Sequence, residues 1–181
     1  MLVTAEHLRA IMPNLKKDQA AKYLPPLQTA LEEAKINTPL RIAAFLAQIA
    51  HESGELRYWE ELASGKAYEG REDLGNTSLG DGPRYKGRGP IQLTGRANYG
   101  ACGKDLGLDL EGCPELVSTP EVGFRSTCWF WTKNGLNALA DAQDLVKMTR
   151  RINGGTNGLA DRMKYYDRAL RVLGPLTLVA T

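Results

Sequence analysis

The sequence predicts a mainly α-helical fold interrupted in its middle by a glycine-rich irregular or short-hairpin segment, and three observations carry that prediction. Apolar residues recur at helical spacing through the first fifty residues and again after residue 141. Residues 39–52, PLRIAAFLAQIAHE, are apolar almost throughout. Eight of the nineteen glycines crowd between Gly75 and Gly103.

Taken in order, Thr4 is placed to cap a short helix that ends near Pro13. Asn14 or Asp18 opens a second helix, which the Pro25-Pro26 pair should break. Leu27, Ala30, Leu31 and Ala34 then continue at helical spacing. Pro39 suits the first turn of the next helix, and nine of the eleven residues from Leu40 to Ala50 are apolar, as in a buried core helix. Its polar residues Arg41, Gln48 and Glu52 stand seven and four apart, so they share one stripe, the pattern of a cleft wall. The glycine density of NTSLGDGPRYKGRGPIQLTGRANYGACG marks tight turns and close backbone approach. Two helices close the chain. One carries Leu145, Val146, Met148 and Ile152 on a face, and the other carries Leu159, Met163, Tyr166, Leu170 and Leu173, with Gly174-Pro175 as its stop.

The length of 181 residues suits one domain. A net charge of +2 is too weak to argue for nucleic acid. The odd count of three cysteines favours reduced thiols, although Cys102 and Cys113 could pair. The first residues lack the basic and apolar regions of a signal peptide, and no apolar run is long enough to cross a bilayer. A soluble protein without membrane insertion is expected.

Three stretches offer chemistry. Glycosidic cleavage needs two carboxyls in opposite protonation states, and the chain after the core helix holds several. Glu52 suits the acid, because a helix C-terminus and an apolar setting both disfavour ionisation, an effect Arg41 on the same stripe would oppose. It could equally be a solvated helix end. In YKGRGPIQLTGRANYG, residues 85–100, Arg88, Gln92, Thr94, Arg96 and Asn98 offer polar groups beside Tyr85 and Tyr99, rings on which sugars stack. Thr94 could also cap a helix starting near Arg96. In RINGGTNG, Asn153 and Asn157 make either a cap or a substrate-binding turn. Two histidines in no metal-binding spacing predict no metal, and no cofactor motif is present. A Cys102–His51 thiol amidase is a remote alternative, since His51 more plausibly packs beside Glu52.

Together, FLAQIAHESGELRYWEEL, YKGRGPIQLTGRANYG, WFW and RINGGTNGLADR resemble glycoside hydrolase family 19, the plant-type chitinases and the lysozyme-like enzymes of bacteriophages. The resemblance spans roughly residues 40 to 173 in the family's order, and without the plant-type cysteine pattern it lies nearer the phage and bacterial branch. It implies a single lysozyme-like helical domain over 1–181, with helices of 1–38 packed on a core of 39–174. It implies Glu52 as general acid and Glu61 as base, with Glu60 adjacent and Glu69 as the other candidate second carboxylate. Glu55 stands where the family usually has a glycine. Thr94 matches the hydroxyl residue that holds water. Gln92, Asn98 and Asn153 match sugar-contacting positions, with His51 and Arg88 at or beside the cleft. The implied activity is inverting hydrolysis of a β-1,4 amino-sugar polymer. Peptidoglycan is the expected partner, cut by a monomeric endolysin that waits in the host cytoplasm until the membrane is breached. Chitin is the alternative polymer, and a non-catalytic wall-binding module the alternative class.

Overall fold

The computed structural model describes residues 3–174, which form nine α-helices and three short 3-10 turns and no strand. The first helix, α1 (Ala5–Ile11), is capped by Thr4, whose hydroxyl accepts from His7 N at 3.2 Å. The second, α2 (Lys17–Glu33), runs straight through Pro25 and Pro26. Each proline removes a ladder N–H, at roughly 3 kcal/mol or more inside a helix. Burial on both sides of the pair outweighs that cost, with Ala20, Tyr23, Leu27, Ala30 and Leu31 forming one covered face. That face packs on α6 (Pro120–Lys133), where Tyr23 meets Phe124 with ring centroids 6.3 Å apart. Neither Asn14 nor Asp18 caps α2; Lys16 takes the cap position with no side-chain bond, and Asn14 binds Glu55 instead.

The third helix, α3 (Pro39–Glu52), starts under a Thr38 cap and buries every residue from Ile42 to Ala50. Its most extensive partner is α9 (Leu159–Leu173), and it also packs on α7 (Leu136–Asp141). Phe45 meets Trp131 edge to face at 5.3 Å. These helices share one hydrophobic core with α1, α2 and part of α6.

A second, smaller cluster supports the glycine-rich segment through Tyr85, Leu93, Tyr99, Cys102, Leu110 and Val117. The segment holds the four-residue α4 (Asp81–Arg84) and α5 (Arg96–Leu106). The expected hairpin reduces to isolated bridges of Arg88 with Glu60 and with Leu93. Gly95, at φ +90°, lies so close to Leu74 that a Cβ would come within 2.7 Å of the Leu74 carbonyl. It is Gly95, not Thr94, that precedes α5, and the first helical amide, Arg96 N, donates instead to Asn76 Oδ1 at 2.9 Å. In α8 (Leu145–Asn153) and α9 the buried faces are rotated from those predicted. Val146 and Met163 are exposed, while Leu145, Met148, Thr149, Arg162, Tyr166, Ala169 and Leu173 are covered. Glycine 174 ends α9 as expected, and Pro175 lies outside the described residues. No helix among the described residues is long and apolar enough to cross a membrane.

Candidate active site

Glu52 is the last residue of α3, and its carboxylate receives the guanidinium of Arg162 through Nη2. The other arm of Arg162 donates to Gln48 Oε1, one turn earlier on α3. The polar stripe read from the sequence therefore gathers on a cation from α9. Arg41 does not join it: at the far end of α3 it holds Asp141 at 2.8 and 2.6 Å and the Lys35 carbonyl at 3.0 Å. Arg162 is 1% exposed, and within this buried group its Nε and Gln48 Nε2 have no partner among the described residues.

His51, which precedes Glu52 on α3, turns to α9 and the loop before it. Its Nδ1 lies 2.8 Å from Asp161, and its ring presses on Gly158, where a Cβ would stand 2.3 Å from the imidazole. Beyond Glu52 the chain reverses through Ser53, whose hydroxyl donates to the Ile49 carbonyl at 2.5 Å and accepts from Leu56 N at 2.7 Å. Glu55 is buried in that turn at φ +63°. It accepts from Asn14 N at 2.6 Å, Asn14 Nδ2 at 3.2 Å and Tyr165 Oη at 2.7 Å. The residue in the family's glycine place thus ties the α1–α2 link and α9 to the turn after Glu52. Burial, reinforced by the Glu55 carboxylate, pushes the Tyr165 hydroxyl well above its ordinary pKa.

Glu60 and Glu61 separate clearly. Glu60 is half exposed and pairs with Lys86 at 3.1 Å and Arg88 at 3.3 Å. Glu61 turns toward the glycine-rich segment, where it accepts from Tyr68 Oη at 3.0 Å and Gly87 N at 3.1 Å. Its backbone is pinned there too, by Glu61 N to the Gly87 carbonyl and by Lys86 Nζ to the Glu61 carbonyl. Burial first, and the Glu61 contact second, raise the Tyr68 pKa, so the phenol stays a donor. Glu69 is committed elsewhere. Its two oxygens accept Gly80 N at 2.5 Å and Gly82 N at 2.8 Å, closing the start of α4.

Gln92, Thr94 and Asn98 line a cleft of about 370 Å³ together with Trp129, Lys133 and Ile152. Neither Glu52 nor Glu61 is among its lining residues, but Gly87 joins it to Glu61. A Cβ on Gly87 would lie 2.7 Å from Gln92 Oε1 and 3.3 Å from Glu61 Oε2. Gln92 sits in the left-handed region at φ +58°, with its Nε2 donating to the Gly89 carbonyl at 2.9 Å. A non-glycine residue held there is strained backbone of the kind that gathers at working sites. Thr94 Oγ1 donates to the Gln92 carbonyl and Asn98 Nδ2 to the Thr94 carbonyl, both at 2.8 Å. Asn153 is exposed beside Ile152 and pins its own turn, donating to the Asn157 carbonyl at 2.8 Å and accepting from Gly155 N at 2.9 Å.

Tyr85 and Tyr99 are not stacking platforms. They are 2% and 0% exposed, packed on each other with centroids 5.4 Å apart. Tyr99 Oη donates to the Lys86 carbonyl at 2.8 Å and Tyr85 Oη to the Glu111 carbonyl at 3.1 Å. Both rings turn inward and pack in the second hydrophobic cluster, beneath the glycine-rich segment. Arg88 is likewise buried and structural, donating to the Arg84 carbonyl at 2.8 Å and to Tyr99 at 3.2 Å. All three cysteines are free, with Cys113 exposed and Cys102 and Cys128 buried. Burial pushes the Cys102 thiol up to about 12, and His51 is engaged by Asp161. Cys102 therefore lacks the thiolate that a thiol nucleophile needs.

Sequence reasoning missed Arg162 and Tyr68. Arg162 had a signal: it lies four residues before Tyr166 on the buried stripe of α9, where an arginine needs an acidic or polar partner. Tyr68 had none.

Residues 18–146 match the family described as chitinase class I, glycosyl hydrolase family 19. An endochitinase of Arabidopsis thaliana is 44% identical over 140 residues, which are 74% of this chain and 48% of that protein. The chain thus spans about half the length of the first of the plant relatives it matches. A Haemophilus influenzae protein named for a glycosyl hydrolase family 19 domain is 34% identical over 178 residues, 81% of this chain and 86% of that one. The crystal structure of chitinase C from Streptomyces griseus superposes with a TM-score of 0.77 at 28% identity, covering 95% of this chain and 92% of that one.

Proposed function

Because the chain belongs to glycoside hydrolase family 19, we propose that it hydrolyses β-1,4 bonds of an N-acetylated amino-sugar polymer, and that this polymer is bacterial peptidoglycan. One observation carries the reading: two carboxylates are held in contrasting ways, Glu52 by a buried guanidinium and Glu61 by a phenol and by the amide of Gly87, which packs against the cleft residue Gln92. Glu52 gives its proton to the glycosidic oxygen as the bond to the anomeric carbon breaks. Arg162 steadies the carboxylate this leaves. On the opposite face of the sugar, water adds its hydroxyl to the anomeric carbon and passes its proton to Glu61, with Thr94 orienting the water. Tyr68 and Gly87 N aim the Glu61 carboxylate, and Gln92, Asn98 and Asn153 take the sugars' polar groups. The outcome is inversion, for which the two carboxyls must stand roughly 6.5–9.5 Å apart. Glu69 is a poor second candidate, since both its oxygens already accept backbone amides.

The proposed role is that of a monomeric endolysin, made in the host cytoplasm and acting on the wall once the membrane is breached. Three free cysteines suit a reducing compartment, and the chain is closer in span to the bacterial relative than to the plant ones. A second reading, chitin, is favoured by the names of the endochitinase and chitinase C relatives. Digestion of purified peptidoglycan and of chitin oligosaccharides, with mass spectrometry of the new reducing end and NMR of its anomer, separates the two. A muramic acid reducing end with inverted configuration is expected. Products from chitin alone refute the peptidoglycan reading, and a retained anomer refutes the mechanism.

A further inference from the structure

We propose that Lys133 is a specificity-determining residue that pairs with a carboxylate on the bound glycan, so that the cleft prefers an anionic strand to a neutral one. The proposal rests on the peptidoglycan reading and deepens it. Lys133 is the last residue of α6, and it lines the cleft that holds Gln92, Thr94 and Asn98. Every other residue lining that cleft is neutral at pH 7, so Lys133 sets its charge. The ammonium lies 4.5 Å from the centroid of the Trp129 ring, one turn back on α6. The indole is itself fixed, its N–H donating to Asp105 at 2.7 Å. Lys133 also borders a neighbouring hollow with Glu33, Asp105 and Arg125, yet it forms no ion pair among the described residues. The indole face steers the lysine stem while its charge stays available, a cation–π seat that leaves the ammonium's hydrogen-bond donors free.

Chitin offers such a cation nothing, because N-acetylglucosamine is neutral. A muramic acid unit carries a lactyl ether whose carboxyl is either free or extended by an acidic peptide. Both forms place a carboxylate on the strand at alternate sugars. A single ammonium among neutral amides then distinguishes the two polymers without changing the catalytic carboxylates.

The test uses full-length protein with Glu52→Gln, so that bound sugars are not cut, with and without Lys133→Met, which keeps the apolar stem against Trp129. Affinities are measured for chitotetraose, for the alternating N-acetylglucosamine–muramic acid tetrasaccharide with free lactyl carboxyls, and for the same sugar bearing stem peptides. Lys133-intact protein is expected to favour at least one anionic ligand by roughly fivefold, the scale of a partly exposed ion pair. The ratio should shrink with added salt, fall to about one in Lys133→Met and return in Lys133→Arg. A preference for the bare tetrasaccharide assigns the lactyl carboxyl, and a preference confined to the peptide form assigns the stem. Equal affinities for all three ligands, or a preference that survives Lys133→Met, overturns the proposal. Active protein that cleaves chitin and spares cell walls refutes the substrate reading alone, because the affinity ratio is read on uncleaved sugars.

Discussion

Glu52 and Glu61 belong to two regions built on different principles. Glu52 ends a helix buried along nine consecutive residues, and its partner is a charged side chain from a helix 110 residues further along the chain. Glu61 lies in backbone with almost no regular structure, and its partners are a phenol and an amide within 26 residues of it. The helical region locates its carboxylate by packing, with an arginine supplying the counter-charge. The glycine-rich region locates its own by close backbone contact, with neutral donors. In the proposed roles, the cation beside Glu52 would stabilise the carboxylate left once its proton is given up. The neutral donors beside Glu61 would orient that carboxylate without adding a counter-charge.

The comparison can be broken in graded ways. Glu52→Gln should remove hydrolysis by about 10³-fold or more with an unchanged circular dichroism spectrum; near-wild-type turnover of that variant sinks the acid assignment. Glu61→Gln should lose about 10²-fold or more, while Glu69→Gln mainly loosens the start of α4. If Glu69→Gln is inactive and Glu61→Gln is not, the base is Glu69. Arg162→Met tests the charged side of the contrast. It strands Glu52 and Gln48 and should lower unfolding stability by about 3 kcal/mol in a urea titration, whereas Tyr68→Phe on the neutral side should cost less than half as much. Gly87→Ala requires no unusual backbone, so it should keep stability close to wild type. By pushing on Gln92 and Glu61 it should still lower kcat/KM roughly tenfold. The smallest effect belongs to Cys102→Ser, which should leave activity unchanged. With the Cys102 thiol near 12 and buried, iodoacetamide at pH 8 should label Cys113 first.

Much of the helical region was legible because burial there follows a period. The Thr4 cap, the Pro39 start and the position of Glu52 at a helix end all follow from local rules. Pro25-Pro26 were misread because local propensity yields to a face buried on both sides. The packed tyrosines were misread for a different reason: where glycine dominates, spacing says nothing about which side chains turn inward, so Tyr85 and Tyr99 looked available and are not. The clamp at Glu55 and the Tyr68–Glu61 bond join residues whose order in the chain gives no hint of contact. Such pairings arise from tertiary closure, which a single sequence does not display.

Arg162 and Tyr165 lie on α9, yet they complete the surroundings of Glu52 and Glu55, which lie 110 residues upstream. During synthesis α3 leaves the ribosome long before Arg162 is added. A nascent chain therefore cannot complete the surroundings of Glu52 until α9 has emerged and docked, a late, non-local closure of the kind that slows folding. A chain released before α9 would leave the Glu52 and Glu55 carboxylates without these partners.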